Sequence, residues 1–412
     1  MAKPKSNEII VGLDIGTTKI ACIAGEVTDE GVDIIGIGTA PSKGLRRGYV
    51  VNIDATVASI QQAVDEAENM AGCEITSVYA AISGAHVRGL NSHGIVAVKD
   101  KEVRDSDITR VIDAAKAVAI PLDREVIHII PQEYIIDGQD GIREPVGMTG
   151  VRLEARVHII TGSIGSGQNL IKCCNRAGLR VQDVLGGPLA AAEAVLTPEE
   201  KELGVALIDI GAGTTEAVVV HAGAVRHTGV LPCGGGHLTN DLAAALRTPF
   251  SEAENLKKRH GSAVSANAPS DVMVEVAGLG GRPPQRLSRR ALAEVLEMRA
   301  EEILRLARRD VDRAGCSGLL TSGVVLTGGS AALDGIVDLA ERVFRAPVRL
   351  GVPQELTGLV DAVASPMYST AVGLVLHGVK QQGRPSALRN GTMLQPFGRV
   401  GHRVIEWLRD FF

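Results

Sequence analysis

The sequence contains one pattern twice, as IVGLDIGTTKIACIAGE at residues 10–26 and as VALIDIGAGTTEAVVVH at residues 205–221. Each copy is an apolar stretch that ends in Asp-Ile-Gly, followed by a turn rich in Gly and Thr and by a second apolar stretch. Short apolar stretches on either side of a glycine-containing turn predict a β-hairpin. The copies begin about 195 residues apart, whereas solenoid repeats recur every ~20–50 residues. The pattern therefore indicates a duplicated domain.

Both turns carry chemical groups that can bind phosphate and magnesium. Glycine lets backbone N–H groups approach a phosphate closely, and threonine hydroxyls add further donors. A carboxylate at the end of the strand can hold Mg²⁺, which favours one or two carboxylates together with phosphate oxygens and water. Facing each other across a cleft, the two turns would clamp a triphosphate from opposite sides. The candidate residues are Asp14, Gly16, Thr17, Thr18 and Lys19 in the first copy and Asp209, Gly211, Gly213, Thr214 and Thr215 in the second.

A third glycine-rich turn follows another short apolar stretch, in VVLTGGS at residues 324–330. The pattern predicts a buried strand, a Gly-Gly turn and then a helix. Because glycine leaves the backbone uncovered, a flat base or a ribose can lie against it. Together with the two hairpins, Gly328, Gly329 and Ser330 would complete a nucleotide cleft.

Composition and charge exclude several classes of protein. Of the 412 residues, 45% are hydrophobic and 22% are charged, which is typical of a packed globular chain. A net charge of -5 leaves no global basic surface, so we expect no nucleic-acid partner. The six cysteines lack zinc-site or CxxC spacing and indicate a reducing compartment. No signal peptide is visible and the apolar runs stop short of ~20 residues, so we expect a cytoplasmic protein.

The order of these patterns divides the chain into parts. Strand and helix patterns alternate over residues 8–84, including a helix at 54–72 with Asp54 as its N-cap. Gly, Pro, Asn and Gln without apolar periodicity indicate a flexible linker near the end of the chain. The predicted parts are a first lobe core at 1–84 and 162–203, a small α+β insert at 85–161, a second lobe core at 204–238 and 315–380, a small helical subdomain at 239–314, a linker at 381–396 and a tail at 397–412.

The tail is chemically distinct from the rest of the chain. Aromatic residues make up only 2% of the sequence, yet four of them lie in this last segment. A helix rising ~1.5 Å per residue would be about 24 Å long here, too short for a ~30 Å hydrocarbon core. Aromatic and aliphatic residues on one side and arginines on the other predict a helix that lies in the membrane interface. The membrane-facing positions are Phe397, Val400, Val404, Trp407, Leu408, Phe411 and Phe412.

The alternative for this tail is a helix docked on the protein's own core. The flexible linker and the aromatic-poor body favour the membrane instead. A single short helix binds a bilayer weakly, and many tails on one filament would bind far more tightly.

The two hairpins and the third turn together resemble the signature of the actin, Hsp70 and sugar-kinase superfamily. Other stretches closely resemble the FtsA family of bacterial cell-division proteins, and the amphipathic C-terminus fits that family too. The stretches are HIIPQEYIIDGQDGIREPVGMTGVRLEARVHII at 128–160, SGAHVRGLNSHG at 83–94, GGGHLTNDLA at 234–243 and AENLKKRHG at 253–261.

The resemblance implies an α/β, two-lobed actin-like ATPase fold made of duplicated ribonuclease-H-like domains, with ATP and Mg²⁺ between the lobes. Asp14 and Asp209 would serve the metal through water, and the two turns would hold the phosphates. Glu254 and Lys257 would approach the ribose and base, and the third turn would approach the adenosine. Glu216 departs from the family pattern, which has a shorter Asp there.

The resemblance also implies a structural adaptor that is at most a weak ATPase. Such a protein would lie at the division site as a peripheral protein on the cytoplasmic side of the cell inner membrane. It would polymerise head to tail through the insert and bind the C-terminal peptide of the tubulin-like protein FtsZ within residues 239–314. It would also recruit later divisome membrane proteins.

Two other functions fit the sequence less well than this one. A small-molecule kinase of the sugar-kinase type would need a catalytic Asp beside the terminal phosphate, and no candidate stands out. A chaperone would need a large peptide-binding domain after the nucleotide-binding part, where only about 30 residues remain.

Overall fold

The computed structural model describes residues 8–28 and 31–382. The predicted tail at 397–412 lies outside the described residues. So does the predicted linker, except for residues 381 and 382, which belong to the last helix.

The chain begins with three long antiparallel strands, a small hairpin, a helix and a further strand. The strands follow the apolar stretches of the first repeat, since their inward side chains are aliphatic and fully buried. The elements are β1 (Ile9–Ile15), β2 (Lys19–Thr28), β3 (Gly31–Pro41), β4 (Leu45–Arg46), β5 (Tyr49–Val50), α1 (Ile53–Ala71) and β6 (Ser77–Ile82).

The N-cap of α1 differs from the predicted one. Asn52 has the extended backbone of a cap residue, and its side-chain oxygen accepts a hydrogen bond from Ala55 N at 3.0 Å. The predicted cap, Asp54, lies inside the first helical turn, where its charge still favours the helix N-terminus. Gly72 ends the helix as predicted, with a left-handed φ of 67°.

The next part of the chain is a separate four-stranded antiparallel sheet with a helix packed on one face. Its strand order is β7–β10–β8–β9, and the helix α2 covers β7 and β10 with its aliphatic side. The elements are β7 (Arg88–Ala97), α2 (Asp105–Lys116), β8 (Arg124–Ile136), β9 (Gln139–Ile142) and β10 (Arg152–Ser163). We call this unit the insert.

After the insert the chain returns to the first sheet and then enters a second one. The strands of the second repeat are again aliphatic and buried on both faces. The elements are α3 (Ile164–Arg176), β11 (Arg180–Gly186), α4 (Gly187–Val195), α5 (Pro198–Leu203), β12 (Val205–Ile210), β13 (Thr215–His221) and β14 (Ala224–Leu231).

A mostly helical segment separates β14 from the last strands of the second sheet. Its elements are α6 (Gly235–Leu246), α7 (Phe250–His260), β15 (Met273–Val276), β16 (Gln285–Ser288) and α8 (Arg289–Arg313). The final elements are β17 (Val324–Thr327), α9 (Ile336–Phe344), β18 (Val348–Leu350), β19 (Thr357–Gly358), α10 (Val360–Val363) and α11 (Ser369–Gln382).

Two sheets share one topology. Sheet I has the order β11–β6–β1–β2–β3–β19, and sheet II has the order β14–β13–β12–β17–β18. In sheet I, β1 pairs antiparallel with β2 and parallel with β6; in sheet II, β12 pairs antiparallel with β13 and parallel with β17. The duplicated α/β fold predicted from the repeat is therefore confirmed.

The segment at 239–314, which the sequence pattern predicted to be mostly helical, contains most of α6, all of α7 and α8, and two short strands. It contains an antiparallel hairpin in which β15 pairs with β16, from Met273 opposite Ser288 to Val276 opposite Gln285. Each strand has only four residues, and the Gly-Pro stretch that separates them forms the connecting loop. A pattern this short carries little periodicity, which explains why the sequence did not predict the hairpin.

The last helix, α11, packs against α4 and β1 at very close range. A methyl group added at Gly373 would lie 1.7 Å from the carbonyl oxygen of Ala190, and one at Gly12 would lie 2.2 Å from that of Ala371. Small residues at these positions allow the backbones to touch. This packing brings the start of α11, at Ser369 and Thr370, to the ends of both hairpins.

Candidate functional site

The turns of the two repeated hairpins meet between sheet I and sheet II. The first turn joins β1 to β2 and is closed by a hydrogen bond from Gly16 N to Lys19 O at 3.0 Å. The second turn joins β12 to β13. A methyl group added at Gly213 would lie 2.6 Å from the hydroxyl oxygen of Thr17, so the two turns are in direct contact. Thr18, Gly211 and Thr214 lie in the same two turns, and Thr215 is the first residue of β13.

Two half-buried carboxylates and one half-buried lysine lie at the base of the turns. Asp14 is in β1, Asp209 is in β12 and Lys19 begins β2. Burial raises the pKa of Asp14, and the neighbouring Lys19 opposes that rise. Burial and the charge of Asp14 raise the pKa of Asp209 to about 7. Two carboxyl groups held this close in a buried place favour a cation between them.

Lys19 contacts the segment that immediately precedes α11. Its Nζ donates to the carbonyl oxygen of Met367 at 2.6 Å and lies 4.3 Å from the ring centroid of Tyr368. Burial lowers the pKa of Lys19, whereas Asp14 and Asp209 raise it. On the same side, Thr370 Oγ1 donates to Asp209 Oδ2 at 3.4 Å.

Glu216 is a further buried carboxylate that connects the two halves of the site. It lies opposite Asp209 in the β12–β13 register. Its Oε1 accepts from Gly84 N at 3.0 Å, and its Oε2 accepts from Ser83 Oγ at 3.2 Å. Burial and the charge of Asp209 raise the pKa of Glu216 to about 8. The side chain therefore joins sheet II to the end of β6 in sheet I.

The third glycine-rich turn packs directly against the second hairpin. Gly328 has a left-handed φ of 86°, and a methyl group there would lie 2.2 Å from Asp209 Oδ1. Ser330 Oγ donates to the carbonyl oxygen of Gly211 at 3.2 Å. Gly329 lies between Gly328 and Ser330 in the chain. Only glycine fits at position 328, because a side chain would displace the carboxylate.

Glu254 and Lys257 lie on α7 and contact the start of α6. Lys257 Nζ is 2.7 Å from Glu254 Oε2 and donates to the carbonyl oxygen of Gly235 at 3.1 Å and to Thr239 Oγ1 at 2.9 Å. Gly235 N in turn donates to Gly211 O at 2.9 Å. The pair is thus connected to the second hairpin turn through the first residue of α6.

The structure brings the predicted residues into one region, and it adds residues that the sequence did not single out as site residues. Glu216 immediately follows Thr215. This position close to the second turn could have indicated that Glu216 belongs to the site. Ser83 and Gly84 form a Ser-Gly dipeptide directly after β6. Thr370 follows Ser369 at the start of α11, in a common Ser-Thr dipeptide. These patterns are too common to indicate a site without the fold.

The chemistry of the region suits an anion with a cation. The backbone around Gly16 and Gly211 is partly exposed and carries no side chain, so it can approach phosphate oxygens closely. Within residues 8–28 and 31–382, no group of three or more His, Cys, Asp or Glu side chains is arranged to hold a metal ion. A cation here would accordingly need oxygens from a phosphate and from water besides Asp14 and Asp209.

Solved structures with the same arrangement of lobes are distant in sequence. The structure titled "PilM-PilN type IV pilus biogenesis complex" matches with a TM-score of 0.64 and 16% identity, covering 90% of this chain and 98% of that chain. The structure of MreB5 of Spiroplasma citri bound to ADP matches with a TM-score of 0.57 and 14% identity, covering 93% and 100%. These similarities show the fold, which is that of the actin-like ATPases.

Comparison with protein families and with individual relatives is more specific. A family model described as "Cell division protein FtsA" matches residues 206–373, and one described as "SHS2 domain inserted in FTSA" matches residues 84–161. The cell division protein FtsA of Pseudomonas aeruginosa is 52% identical over 417 residues, and that of Escherichia coli K12 is 42% identical over 420 residues. Both alignments cover 100% of this chain and 100% of the relative. Since such identity extends over the full length of both proteins, this chain belongs to the FtsA family of bacterial cell division proteins.

Proposed function

We propose that this protein binds ATP with Mg²⁺ between its two lobes and forms filaments on the inner face of the cytoplasmic membrane. There it anchors the FtsZ ring and recruits later divisome membrane proteins. The sequence predicts lobe cores at 1–84 and 162–203 and at 204–238 and 315–380. At the end of the last range, β19 and α11 pack with sheet I instead of sheet II. The nucleotide acts mainly as a conformational ligand, since it favours whichever lobe arrangement it binds more tightly.

The observation that carries the nucleotide part of this proposal is the contact between the Thr17 turn and the Gly213 turn. Two glycine–threonine turns that meet across a cleft present backbone and hydroxyl donors to one polyphosphate from both sides. Asp14 and Asp209 would hold Mg²⁺ together with phosphate oxygens and water, and the ion would neutralise phosphate charge. The fit is chemical as well as spatial, because partial burial raises the pKa of both carboxyl groups and a nearby cation would stabilise their charged forms.

A distant structural neighbour is consistent with this ligand. MreB5 of Spiroplasma citri has been solved with ADP and with AMPPNP, at TM-scores of 0.57 in each case. In the present chain, Ser330 Oγ and Gly235 N both donate to the carbonyl oxygen of Gly211, so the third turn and the start of α6 lie side by side at the second hairpin turn. The adenosine would lie against these two elements, with Glu254 and Lys257 toward the ribose and base.

A groove between α8 and α9 supports a site for an acidic peptide. It has a volume of about 430 Å³, and five arginines and three acidic residues line it. A surplus of arginines favours carboxylate-rich partners, because guanidinium groups pair with carboxylates in a bidentate manner. We assign the FtsZ C-terminal peptide to this surface, most of which lies within the predicted segment 239–314. The arginines are Arg305, Arg308, Arg309, Arg342 and Arg345.

The tail carries the membrane part of the proposal. No helix in the described part of the chain has the length and apolar content needed to cross a lipid bilayer. The amphipathic pattern at 397–412, which lies outside the described residues, would instead hold the protein in the interface. Filament formation through the insert would place many such tails side by side, which strengthens binding.

The test combines the purified protein with vesicles of phosphatidylethanolamine and phosphatidylglycerol and a labelled FtsZ C-terminal peptide. Sedimentation with Mg²⁺ and ATP, ADP or no nucleotide measures membrane recruitment of the peptide, and negative-stain microscopy on lipid monolayers reveals filaments. We expect the peptide to sediment only with the protein and filaments to depend on ATP. Arg309→Glu should abolish peptide recruitment, and Arg180→Glu, an exposed change in sheet I, should not. Recruitment that survives Arg309→Glu would remove the groove from the proposal.

A further inference from the structure

The small hairpin of β4 and β5 places an arginine beside both phosphate turns. Its turn consists of Arg47 and Gly48, between Arg46 and Tyr49. A methyl group added at Gly213 would clash with Thr17. The same methyl group would lie 3.1 Å from the Cα of Arg47. The backbone of Arg47 therefore lies where the two glycine–threonine turns meet.

The position of this arginine is fixed by contacts on the other side of the hairpin turn. A methyl group added at Gly48 would lie 2.4 Å from Gly84 Cα and 2.4 Å from Ser83 O, so the two backbones touch. Gly84 N donates to Glu216 in sheet II. Arg47 itself has a left-handed φ of 52°, which a residue with a side chain adopts only where the surroundings impose it.

The charge of Arg47 acts on a residue of the second lobe, Cys233. Burial raises the pKa of Cys233, and Arg47 is one of the charges that oppose this rise. Cys233 precedes the Gly234–Gly235 backbone, which contacts the second hairpin turn through the hydrogen bond from Gly235 N to Gly211 O. Arg47 is exposed, so its side chain can move within the cleft.

A triphosphate in this cleft needs more positive charge than the buried residues provide. It carries about four negative charges at neutral pH, whereas a divalent ion and one lysine supply about three. Asp14 and Asp209 add to the negative side, and Lys19 is held by Met367 O. Arginine suits the role because its planar set of N–H donors matches phosphate oxygens.

We propose that Arg47 binds the terminal phosphate of a nucleoside triphosphate and lets the protein distinguish ATP from ADP. This inference rests on the proposed function, namely that the cleft between the two turns binds nucleotide. If the β4–β5 hairpin served only to stabilise the fold, Arg47 would give the protein no preference for a nucleotide with a third phosphate.

The experiment measures ATP and ADP affinities by calorimetric titration with Mg²⁺ for the full chain and three variants. Arg47→Asn removes the charge and keeps a residue that tolerates the left-handed backbone. Arg47→Lys keeps a charge, and Arg46→Ala is the matched control, because Arg46 is exposed in the same hairpin. Thermal unfolding without nucleotide establishes that each variant is folded. If an Arg47 variant is not folded, Arg47→Gly replaces it in the experiment.

We expect Arg47→Asn to weaken ATP binding ~10- to 100-fold, the loss typical of a charge-assisted contact, and to change ADP binding little. Arg47→Lys should recover part of the ATP affinity, and Arg46→Ala should leave both affinities as they were. Equal losses for ATP and ADP, or no loss, would overturn the role of Arg47 while leaving nucleotide binding in place. A parent protein that binds neither nucleotide would overturn the proposed function itself.

Discussion

The carboxylate of Glu216 accepts a hydrogen bond from the backbone N–H of Gly84, with 3.0 Å between Gly84 N and Glu216 Oε1. The two residues are 132 positions apart: Glu216 is in β13 of sheet II, and Gly84 follows β6 of sheet I. Because Gly84 also packs against Gly48, one carboxylate connects sheet II, the end of β6 and the hairpin that carries Arg47. The lobes are thus coupled at the same place where the two glycine–threonine turns meet.

Replacement of Glu216 tests this coupling. Glu216→Ala leaves the buried N–H of Gly84 without its acceptor, which should lower the free energy of unfolding by about 1–3 kcal/mol. Glu216→Gln keeps a carbonyl acceptor and removes a carboxylate whose burial is unfavourable, so it should cost much less. Urea unfolding without nucleotide measures both, with the exposed change Glu74→Gln as control. Equal losses for Ala and Gln would show that the hydrogen bond is not what stabilises the contact.

Asp209→Ala should weaken binding of Mg²⁺-ATP by at least ~10-fold, because it removes one of the two carboxylates available to the cation. Titration of a fluorescent ATP analogue with Mg²⁺ and again with a chelator separates the metal-dependent part of the affinity. Asp113→Ala, on the exposed side of α2, is the matched control. An affinity that Asp209→Ala leaves unchanged would remove this residue from the site.

Trp407→Glu should release the protein from anionic vesicles, because a charged residue replaces the largest apolar group of the predicted tail helix. Trp407→Phe, which preserves an aromatic ring, should retain most of the binding. Vesicle sedimentation measures the change, and nucleotide affinity should be the same in both variants. Normal sedimentation of Trp407→Glu would exclude the tail as the membrane anchor.

His158 should make the protein less stable in mild acid. Burial lowers the pKa of His158 to about 3, from an ordinary value of 6.5, and its ring nitrogens contact Asn91 and Thr228. Between these two pH values the unfolded chain binds a proton that the folded chain does not. The free energy of unfolding therefore falls as the pH falls below 6.5, by up to about 1.4 kcal/mol per pH unit.

The measurement is chemical unfolding at pH 7.5 and pH 5.5 for the parent protein and for His158→Gln. The variant should lose about 1 kcal/mol less between the two pH values, since it lacks this titrating group. His260→Gln, a change at a partly exposed position, should behave as the parent does. A variant with the parent's full pH dependence would assign the effect to other groups.

Gly373→Ala should destabilise the fold, because its methyl group would lie 1.7 Å from the carbonyl oxygen of Ala190 and α11 would have to shift away from α4. A loss of about 1–3 kcal/mol or more is typical of overpacking. Gly165→Ala is the control, since the space around that position is open and it lies in a helix. Thermal unfolding checks both, and a tolerated Gly373→Ala would mean that the helices separate at little cost.

Local pattern predicted much of this protein and failed at identifiable places. The aliphatic stretches around the two Asp-Ile-Gly turns predicted the hairpins, and their repetition predicted two sheets of one topology. Asp54 was wrong as a helix cap because Asn52, two residues earlier, offers an equivalent side-chain acceptor. The β15–β16 hairpin was missed because four-residue strands carry little periodicity.

The sequence by itself determined which residues form strands, where glycine and threonine turns occur and that the fold is duplicated, because these depend on neighbours within a few positions. Only the tertiary structure decided that Thr17 meets Gly213, that Glu216 reaches Gly84 and that Thr370 donates to Asp209 from 161 positions away. Those contacts arise from the docking of one lobe on the other, which depends on many weak packing interactions and on close backbone approach at residues such as Gly373. No local sequence pattern encodes the combined effect of these interactions. The contacts within the site could therefore be identified only from the docked lobes.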